Sequence, residues 1–326
     1  VGKHFYRGER PQLGGERISV VIVFRNLNEV PPAVRGGAVA VGNFDGVHQG
    51  HGRLIARLLT AAKQLGGPAV VFTFDPPPSY VLQPYSAAKP LLWRERKEEL
   101  LAALGVDAAL FYPPDKNFLA LEPEDFFHDV ICRRFQAEAL VEGANFSFGR
   151  NRRGNVKLLA RLASAAGIVL DVVEPLTIEG QIVSSSRVRA LLLQGATALA
   201  GKLLGRPHRI RGTVVSGAGR GSRIGFPTAN LEHVEVLLPK EGVYAGRAWV
   251  DTACYPAAVS LGPNPTFGEG RRKIEVHLIG FSGRLEGRTL EVDFLERLRD
   301  IITFTSVEAL QAEIAADIDR TLKLNS

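Results

Sequence analysis

A change of hydrophobic period part-way along the chain constrains its fold more than any other feature. From Gly37 to Val173, short runs of small and β-branched apolar residues alternate with longer segments of helical spacing. The strand-like runs are Gly37–Phe44, Ala69–Phe74, Ala108–Tyr112, Ala139–Glu142 and Ile168–Val173. Between them, Gly50–Leu65, Arg94–Leu104, Pro123–Phe135 and Val156–Ala166 read as helices. In the first helix Leu54, Ile55, Leu58, Leu59 and Ala62 share one face at the 3.6-residue period. Repeated strand–helix alternation predicts an α/β domain, a parallel sheet with helices on both faces.

After Gly205 the helical period gives way to short strands separated by Gly and Pro turns. Arg209–Ser216, Val243–Val250, Ala257–Leu261, Lys273–Phe281 and Leu290–Leu295 predict a small antiparallel barrel or sandwich. A closing helix is expected over Ser306–Leu324. Thr305 and Glu308 fit a capping box, and Leu310, Ile314, Ile318 and Leu322 are its expected buried stripe. The chain thus divides into a disordered extension over 1–18, an α/β domain over 19–203 and a barrel domain over 204–326.

Length and composition narrow the class. With 326 residues, 45% hydrophobic and 23% charged, the chain can build two globular cores. No apolar run is long enough to span a bilayer. The extension carries Arg7, Arg10 and Arg17 but no apolar signal segment. The two cysteines, Cys132 and Cys254, are far apart, which excludes a disulfide framework and a cysteine zinc site and suits a reducing cytoplasm. A formal charge of +6 invites an anionic partner. Basic residues are interspersed with acidic ones, so a nucleotide suits the chain better than nucleic acid. Methionine is absent from the sequence, and we have no physical account of it.

The densest chemical signal is Gly42-Asn43-Phe44-Asp45-Gly46-Val47-His48-Gln49-Gly50-His51, between a predicted strand and helix. Glycines permit a sharp turn and close approach of a ligand, and a helix start offers unpaired N–H groups to an anion. His48 and His51, three apart, can face one phosphate. Alone, either histidine reads as a helix cap or an exposed side chain. A second helix start, Ser184-Ser185-Ser186 with Arg189, offers hydroxyls and a forked cation, though simple N-capping explains the serines as well. Together the H-x-G-H turn and S-S-S-x-x-R resemble the two motifs of the nucleotidyltransferase superfamily. In the second, Arg187 falls at a variable position.

Further segments sharpen the resemblance to the bacterial bifunctional riboflavin kinase/FAD synthetase family. Gly143-Ala144-Asn145-Phe146-Ser147-Phe148-Gly149 resembles a segment beside the adenylyl-transfer site of FAD synthetases, and Lys97-x-x-Leu100-Leu101 fits too. One departure is Pro77, where many members have histidine. In the barrel region, Gly217, Gly219 and Gly225 lie in a glycine-rich run without a Walker ending. Phe226-Pro227-Thr228-Ala229-Asn230 resembles the P-T-A-N motif of riboflavin kinases. Thr228 and Asn230, two apart in an extended strand, share a side and are hard oxygen donors for Mg²⁺. Gly242–Gly246, Gly262–Gly268 and Ile274–Leu278 match as well.

By strand alternation alone Glu275 is a solvated glutamate; the resemblance makes it the catalytic base. His277 keeps its ordinary reading as a strand residue. Ile301–Phe304 replaces a segment that commonly ends in Lys-Phe.

The resemblance implies an N-terminal Rossmann-like nucleotidyltransferase domain and a C-terminal kinase barrel. The expected reactions are riboflavin to FMN, then FMN to FAD with release of pyrophosphate. ATP is the co-substrate, and no membrane or nucleic-acid partner is expected. The implied sites are Gly42, Phe44, Asp45, His48, Gly50, His51, Asn145, Ser184, Ser185, Ser186 and Arg189 for adenylyl transfer. For the kinase they are Gly217, Gly219, Gly225, Pro227, Thr228, Asn230 and Glu275. Rival readings are a single-activity enzyme with one degenerate site and a non-enzymatic flavin binder.

Overall fold

In a computed structural model of the chain, the described residues are 5–7, 20–217, 219–264 and 269–326. The chain divides into two compact units, Val1–Ala88 with Trp93–Val183, and Lys89–Leu92 with Ser184–Ser326.

The first unit is built on seven strands: β1 (Phe5–Arg7), β2 (Val20–Phe24), β3 (Ala38–Val41), β4 (Ala69–Phe74), β5 (Ala108–Tyr112), β6 (Ala139–Gly143) and β7 (Val169–Val173). Their order is β1-β2-β5-β4-β3-β6-β7. All neighbours from β2 to β7 run parallel, and β1 pairs antiparallel with β2 through Phe5↔Ile22. Phe5–Arg7 therefore form a strand inside the stretch expected to be a disordered extension, the rest of which lies outside the described residues. Every residue of β3 is buried, as a strand covered on both faces requires.

Helices α1 (Gln49–Leu65), α2 (Arg94–Ala103) and α4 (Val156–Ala165) connect strands; α3 begins over Pro123–Asp125 and continues as a π-type helix over Phe126–Phe135. The apolar residues of α3 pack with Val39, Val70, Phe72, Leu110 and Leu140 in the core. From β3 the chain proceeds to β4 and β5 on one side, and then crosses to β6 on the other. The strand order therefore reverses between β3 and β6, where open α/β sheets present a crevice at their strand C-termini.

The second unit contains a closed antiparallel barrel: β8 (His208–Val215), β9 (Ala229–Glu232), β10 (Gly242–Val250), β11 (Ala253–Asn264), β12 (Glu269–Leu278) and β13 (Thr289–Arg299), in the order β8-β9-β12-β11-β10-β13. Alternate residues of β8 point inward. Tyr244 and Phe294 meet edge-to-face in the core at 5.0 Å. Helices α5 (Ser185–Gln194) and α6 (Thr197–Leu204), grouped with the first domain by the sequence reading, belong to this unit. The Thr197 hydroxyl donates to the Leu295 carbonyl, and Lys240 N donates to the Leu192 carbonyl at 2.9 Å.

The closing helix α7 (Val307–Asn325) corrects two expectations. Its cap is Ser306, whose Oγ accepts from Ala309 N at 3.1 Å, so Thr305 does not cap it. Asp317 and Thr321 are its buried residues, whereas Leu322 is 42% exposed. Leu310, Ile314 and Ile318 are half-buried. The reason is an ion pair: Arg299 Nε and Nη2 donate to Asp317 Oδ2 at 3.0 and 2.8 Å, turning a carboxylate rather than Leu322 inward.

Candidate functional site

The first candidate site is the turn between β3 and α1. Gly42 N still donates to Phe72 O at 2.9 Å, and beyond it the backbone leaves the sheet. Phe44, Gly46 and Val47 have φ of 45°, 83° and 38°. Glycine adopts that region freely, but a bulky or β-branched residue there costs about 1–3 kcal/mol. Burial of Phe44 and Val47 offsets the cost.

His48 is the N-cap of α1, and its Nδ1 accepts from His51 N at 3.2 Å. A neutral His48 must then carry its proton on Nε2, which makes that nitrogen a donor. The His51 ring stacks on it at 3.6 Å and 10°, and Phe44 lies against His51 at 5.0 Å. A Cβ at Gly50 would come within 3.2 Å of the His48 ring, so glycine preserves the stack. Asp45 is buried in the same turn. The structure thus brings His48 and His51 together, with Phe44 and Gly50 setting their positions.

Three further groups hold this turn. Thr73 Oγ1 and Lys97 Nζ each donate to Asn43 O at 3.0 Å, and Lys97 Nζ also reaches Phe74 O at 3.5 Å. Burial lowers the Lys97 pKa, opposed by the charges of Asp45 and Asp75. On the flank formed by β6, Glu142 Oε1 accepts from Val41 N at 2.7 Å. Burial pushes the Glu142 carboxyl well above the ordinary carboxylate range, with the Val41 N–H opposing.

Sequence reasoning gave Lys97 no role and missed Glu142, because hydropathy does not distinguish a buried charge from a surface one. Asn145 is exposed just beyond β6, at the same strand ends as Gly42. Phe148 is buried and Phe146 half-buried, their rings stacked at 5.5 Å. Pro77 opens a short helix over Pro78–Leu82.

Ser184, Ser185, Ser186 and Arg189 lie in the second unit, at the start of α5. Ser184 Oγ caps the helix by accepting from Arg187 N at 3.2 Å. Arg189 donates to the Lys89 carbonyl.

The barrel carries the second candidate site. Asn230 pairs directly across from Glu275, which pairs on its other side with Ser260. Directly opposed residues share a sheet face, so the three form a polar row across β9, β12 and β11. All three line a cavity of about 220 Å³ together with Thr228, Gly217 and Gly219. Ser260, absent from the sequence-based set, is found only through the register. Ile274, Val276 and Leu278 point to the opposite, buried face.

Close approach explains Gly217, where a Cβ would lie 2.1 Å from Asn230 Nδ2. At Gly219 and Gly225 a Cβ would meet nothing within 4 Å, and glycine is required there by φ of 66° and 89°. His277 Nδ1 lies 2.7 Å from Pro227 O and thereby ties down the segment carrying Thr228. Ile301, Ile302, Phe304, Leu310 and Ile314 form an apolar wall. The Arg299 guanidinium lies 5.7 Å from the Phe304 ring, supplying a cation beside the segment that lacks the expected lysine. A second, polar cavity of about 530 Å³ also borders Gly217 and Asn230 and is lined by Arg272 and Lys273. Ala218 and the Pro265–Gly268 part of the matched segments lie outside the described residues.

Among the described residues, no group of three or more His, Cys, Asp or Glu side chains is placed to hold a metal. No helix among them is long and apolar enough to cross a membrane.

Comparison with known proteins matches the FAD synthetase model to residues 30–187 and the riboflavin kinase model to residues 204–325. The bifunctional riboflavin kinase/FMN adenylyltransferase of Pseudomonas fluorescens is 34% identical over 295 residues, covering 90% of this chain and 94% of that protein. The protein of the same name from Bacillus subtilis (strain 168) is 33% identical over 294 residues, 87% of this chain and 91% of its own. A crystal structure titled macrolide-efflux protein, from Streptococcus pneumoniae, superposes with a TM-score of 0.83 at 31% identity. It covers 92% of this chain and 98% of that one.

Proposed function

Because the chain belongs to the bifunctional riboflavin kinase/FMN adenylyltransferase family, and so converts riboflavin to FMN and FMN to FAD, we propose that the barrel row performs the first reaction and the β3–α1 turn the second. The observation that carries this assignment is the direct pairing of Asn230 with Glu275 in a cavity bordered by the glycine loop.

In the barrel, the flavin rings lie against the apolar wall formed by Ile301, Phe304 and Leu310. The terminal ribityl hydroxyl oxygen attacks the γ-phosphorus of ATP. Glu275 accepts the hydroxyl proton, the bond to the β–γ bridging oxygen breaks, and ADP leaves. Backbone N–H groups of Gly217 and Gly219 cradle the phosphates. Gly225, whose N–H donates to the Ser222 carbonyl, turns the loop back toward the strand, and Pro227 fixes the path into Thr228. Thr228 and Asn230 fit Mg²⁺, because both bring neutral oxygen donors to this cavity and the ion usually takes few protein ligands beside nucleotide phosphates. When bound, that ion neutralises phosphate charge.

In the β3–α1 turn, an FMN phosphate oxygen attacks the α-phosphorus of ATP. The bond to the α–β bridging oxygen breaks and pyrophosphate leaves. His48 Nε2–H and the His51 ring donate to the departing charge, and the positive end of α1 adds to their field. Gly42, Phe44, Asp45 and Gly50 shape the cradle, and Asn145 lines its approach. No protein nucleophile is required, since positioning and charge neutralisation supply the catalysis.

Ser184, Ser185, Ser186 and Arg189 remain proposed phosphate-binding residues on the strength of their helix start. The limits 19–203 and 204–326 are the proposed functional division. Two free cysteines support work in the cytoplasm. The match to both family models and to bifunctional relatives supports the two-reaction reading over the single-activity and non-enzymatic rivals.

Position-labelled ATP tests the assignment. Riboflavin with γ-labelled ATP is expected to give labelled FMN, and FMN with α-labelled ATP to give labelled FAD. Glu275→Gln should suppress the first product and His51→Ala the second; the reverse pattern would overturn the assignment of sites.

A further inference from the structure

Strands β3 and β6 pair through Ala38↔Ala139 and Val39↔Leu140, and their register ends there. Past that point the Glu142 side chain satisfies the Val41 N–H at 2.7 Å. Glu142 is 1% exposed, and a buried carboxyl is a costly acceptor for one amide. Lys97 is 6% exposed, and it spends a buried ammonium on the carbonyls of Asn43 and Phe74. Both positions bury an ionisable side chain against backbone polar groups, and an apolar residue at 142 would leave the Val41 N–H without that acceptor.

What the two side chains share is their target. They fix the N–H of Val41 and the C=O of Asn43, the peptide groups that bracket Gly42 at the strand-order reversal. Immediately downstream are Phe44 and Val47 in the left-handed region, a conformation that persists only where surrounding contacts over-determine it.

We propose that Glu142 and Lys97 are positioning residues for adenylyl transfer, clamping the entry to the strained turn from its amide and carbonyl sides. The proposal rests on reading that turn as the adenylyl-transfer site. Thr73 Oγ1 shares the Asn43 carbonyl at 3.0 Å and completes the clamp. The clamp sets the direction in which the backbone leaves β3, and through it the placement of the His48–His51 stack. A small misplacement there reduces turnover more than binding.

The test compares Glu142→Val, Glu142→Gln and Lys97→Met with wild type in the full chain. It measures kcat and KM for FAD formation from FMN, with riboflavin phosphorylation as an internal reference and circular dichroism to monitor folding. Glu142→Val and Lys97→Met are expected to lower kcat by about tenfold or more. The FMN KM should change less than about threefold. Glu142→Gln retains an acceptor oxygen and should restore kcat to within about threefold of wild type. Wild-type kcat in folded Glu142→Val or in Lys97→Met overturns the proposal, as does a Glu142→Gln loss equal to that of Glu142→Val. His51→Ala separates the two claims. If it leaves FAD formation intact, the site itself is wrong; if it abolishes FAD formation while the clamp variants behave as wild type, only the clamp is wrong.

Discussion

The turn after β3, proposed for adenylyl transfer, and the polar row across β9, β12 and β11, proposed for the kinase reaction, are held in different ways. In the turn, geometry resides in the backbone: two bulky residues sit at positive φ, and buried Thr73, Lys97 and Glu142 grip the peptide groups around Gly42. In the barrel, geometry resides in register: Asn230, Glu275 and Ser260 are neighbours because their strands pair at those residues. A site built from a strained turn depends on residues that never need to touch substrate. A site built from register depends mainly on its own lining and on whatever approaches that lining closely.

The largest effect that sharpens this contrast is expected at Gly217. Gly217→Ala places a methyl group where the Asn230 amide sits, so riboflavin phosphorylation should fall by about 10²-fold while FMN adenylylation stays within about twofold. Separate steady-state assays of the two reactions check this, and equal losses in both would break the contrast.

The turn should show its cost in a pH series. The Glu142 carboxyl is raised by burial, so the folded chain holds that proton more tightly than the unfolded chain. Stability must then fall as pH rises from the unfolded carboxyl value of about 4.3 through the folded value. Chemical unfolding followed in the first unit should show Glu142→Gln gaining on wild type across that window. A difference independent of pH would contradict it.

A smaller effect is expected at Gly52, in α1 just beyond the histidines. A Cβ there meets no other atom within 4 Å, so Gly52→Ala should stabilise the first unit by about 0.5–1 kcal/mol with both activities kept. Thermal unfolding and the two assays decide this. Smallest of all, Leu322→Ala should cost no more than about 0.5 kcal/mol in unfolding free energy, because that side chain lies on the exposed face of α7 outside the core.

Much of this architecture is visible from the residues because each element obeys one local rule. Ala69–Phe74 is a continuous apolar run, as a strand covered on both faces must be, and α1 has its apolar stripe at the helical period. The turn after β3 is legible from its glycines and histidines, but the positive φ of Phe44 and Val47 is not, since those residue types disfavour it.

What escaped the sequence is non-local. Glu142 closes an apolar run, Ala139-Leu140-Val141, so periodicity could not say that its carboxyl points inward toward Val41. Lys97 resembles any helix lysine until Asn43 and Phe74 are brought to it. Ser260 gains meaning only from its pairing with Glu275. On α7, hydropathy chose Leu322 for the inner face, but Arg299, arriving from the end of β13, selected Asp317 instead.

Product analysis of two single variants incubated with ATP and Mg²⁺ is the most direct measure of two separately built centres in one chain. His51→Ala supplied with riboflavin should accumulate FMN and form almost no FAD. Glu275→Gln should form FAD from added FMN at the wild-type rate, yet leave riboflavin unphosphorylated. If either folded variant lost both conversions, the account of two independent centres would be contradicted.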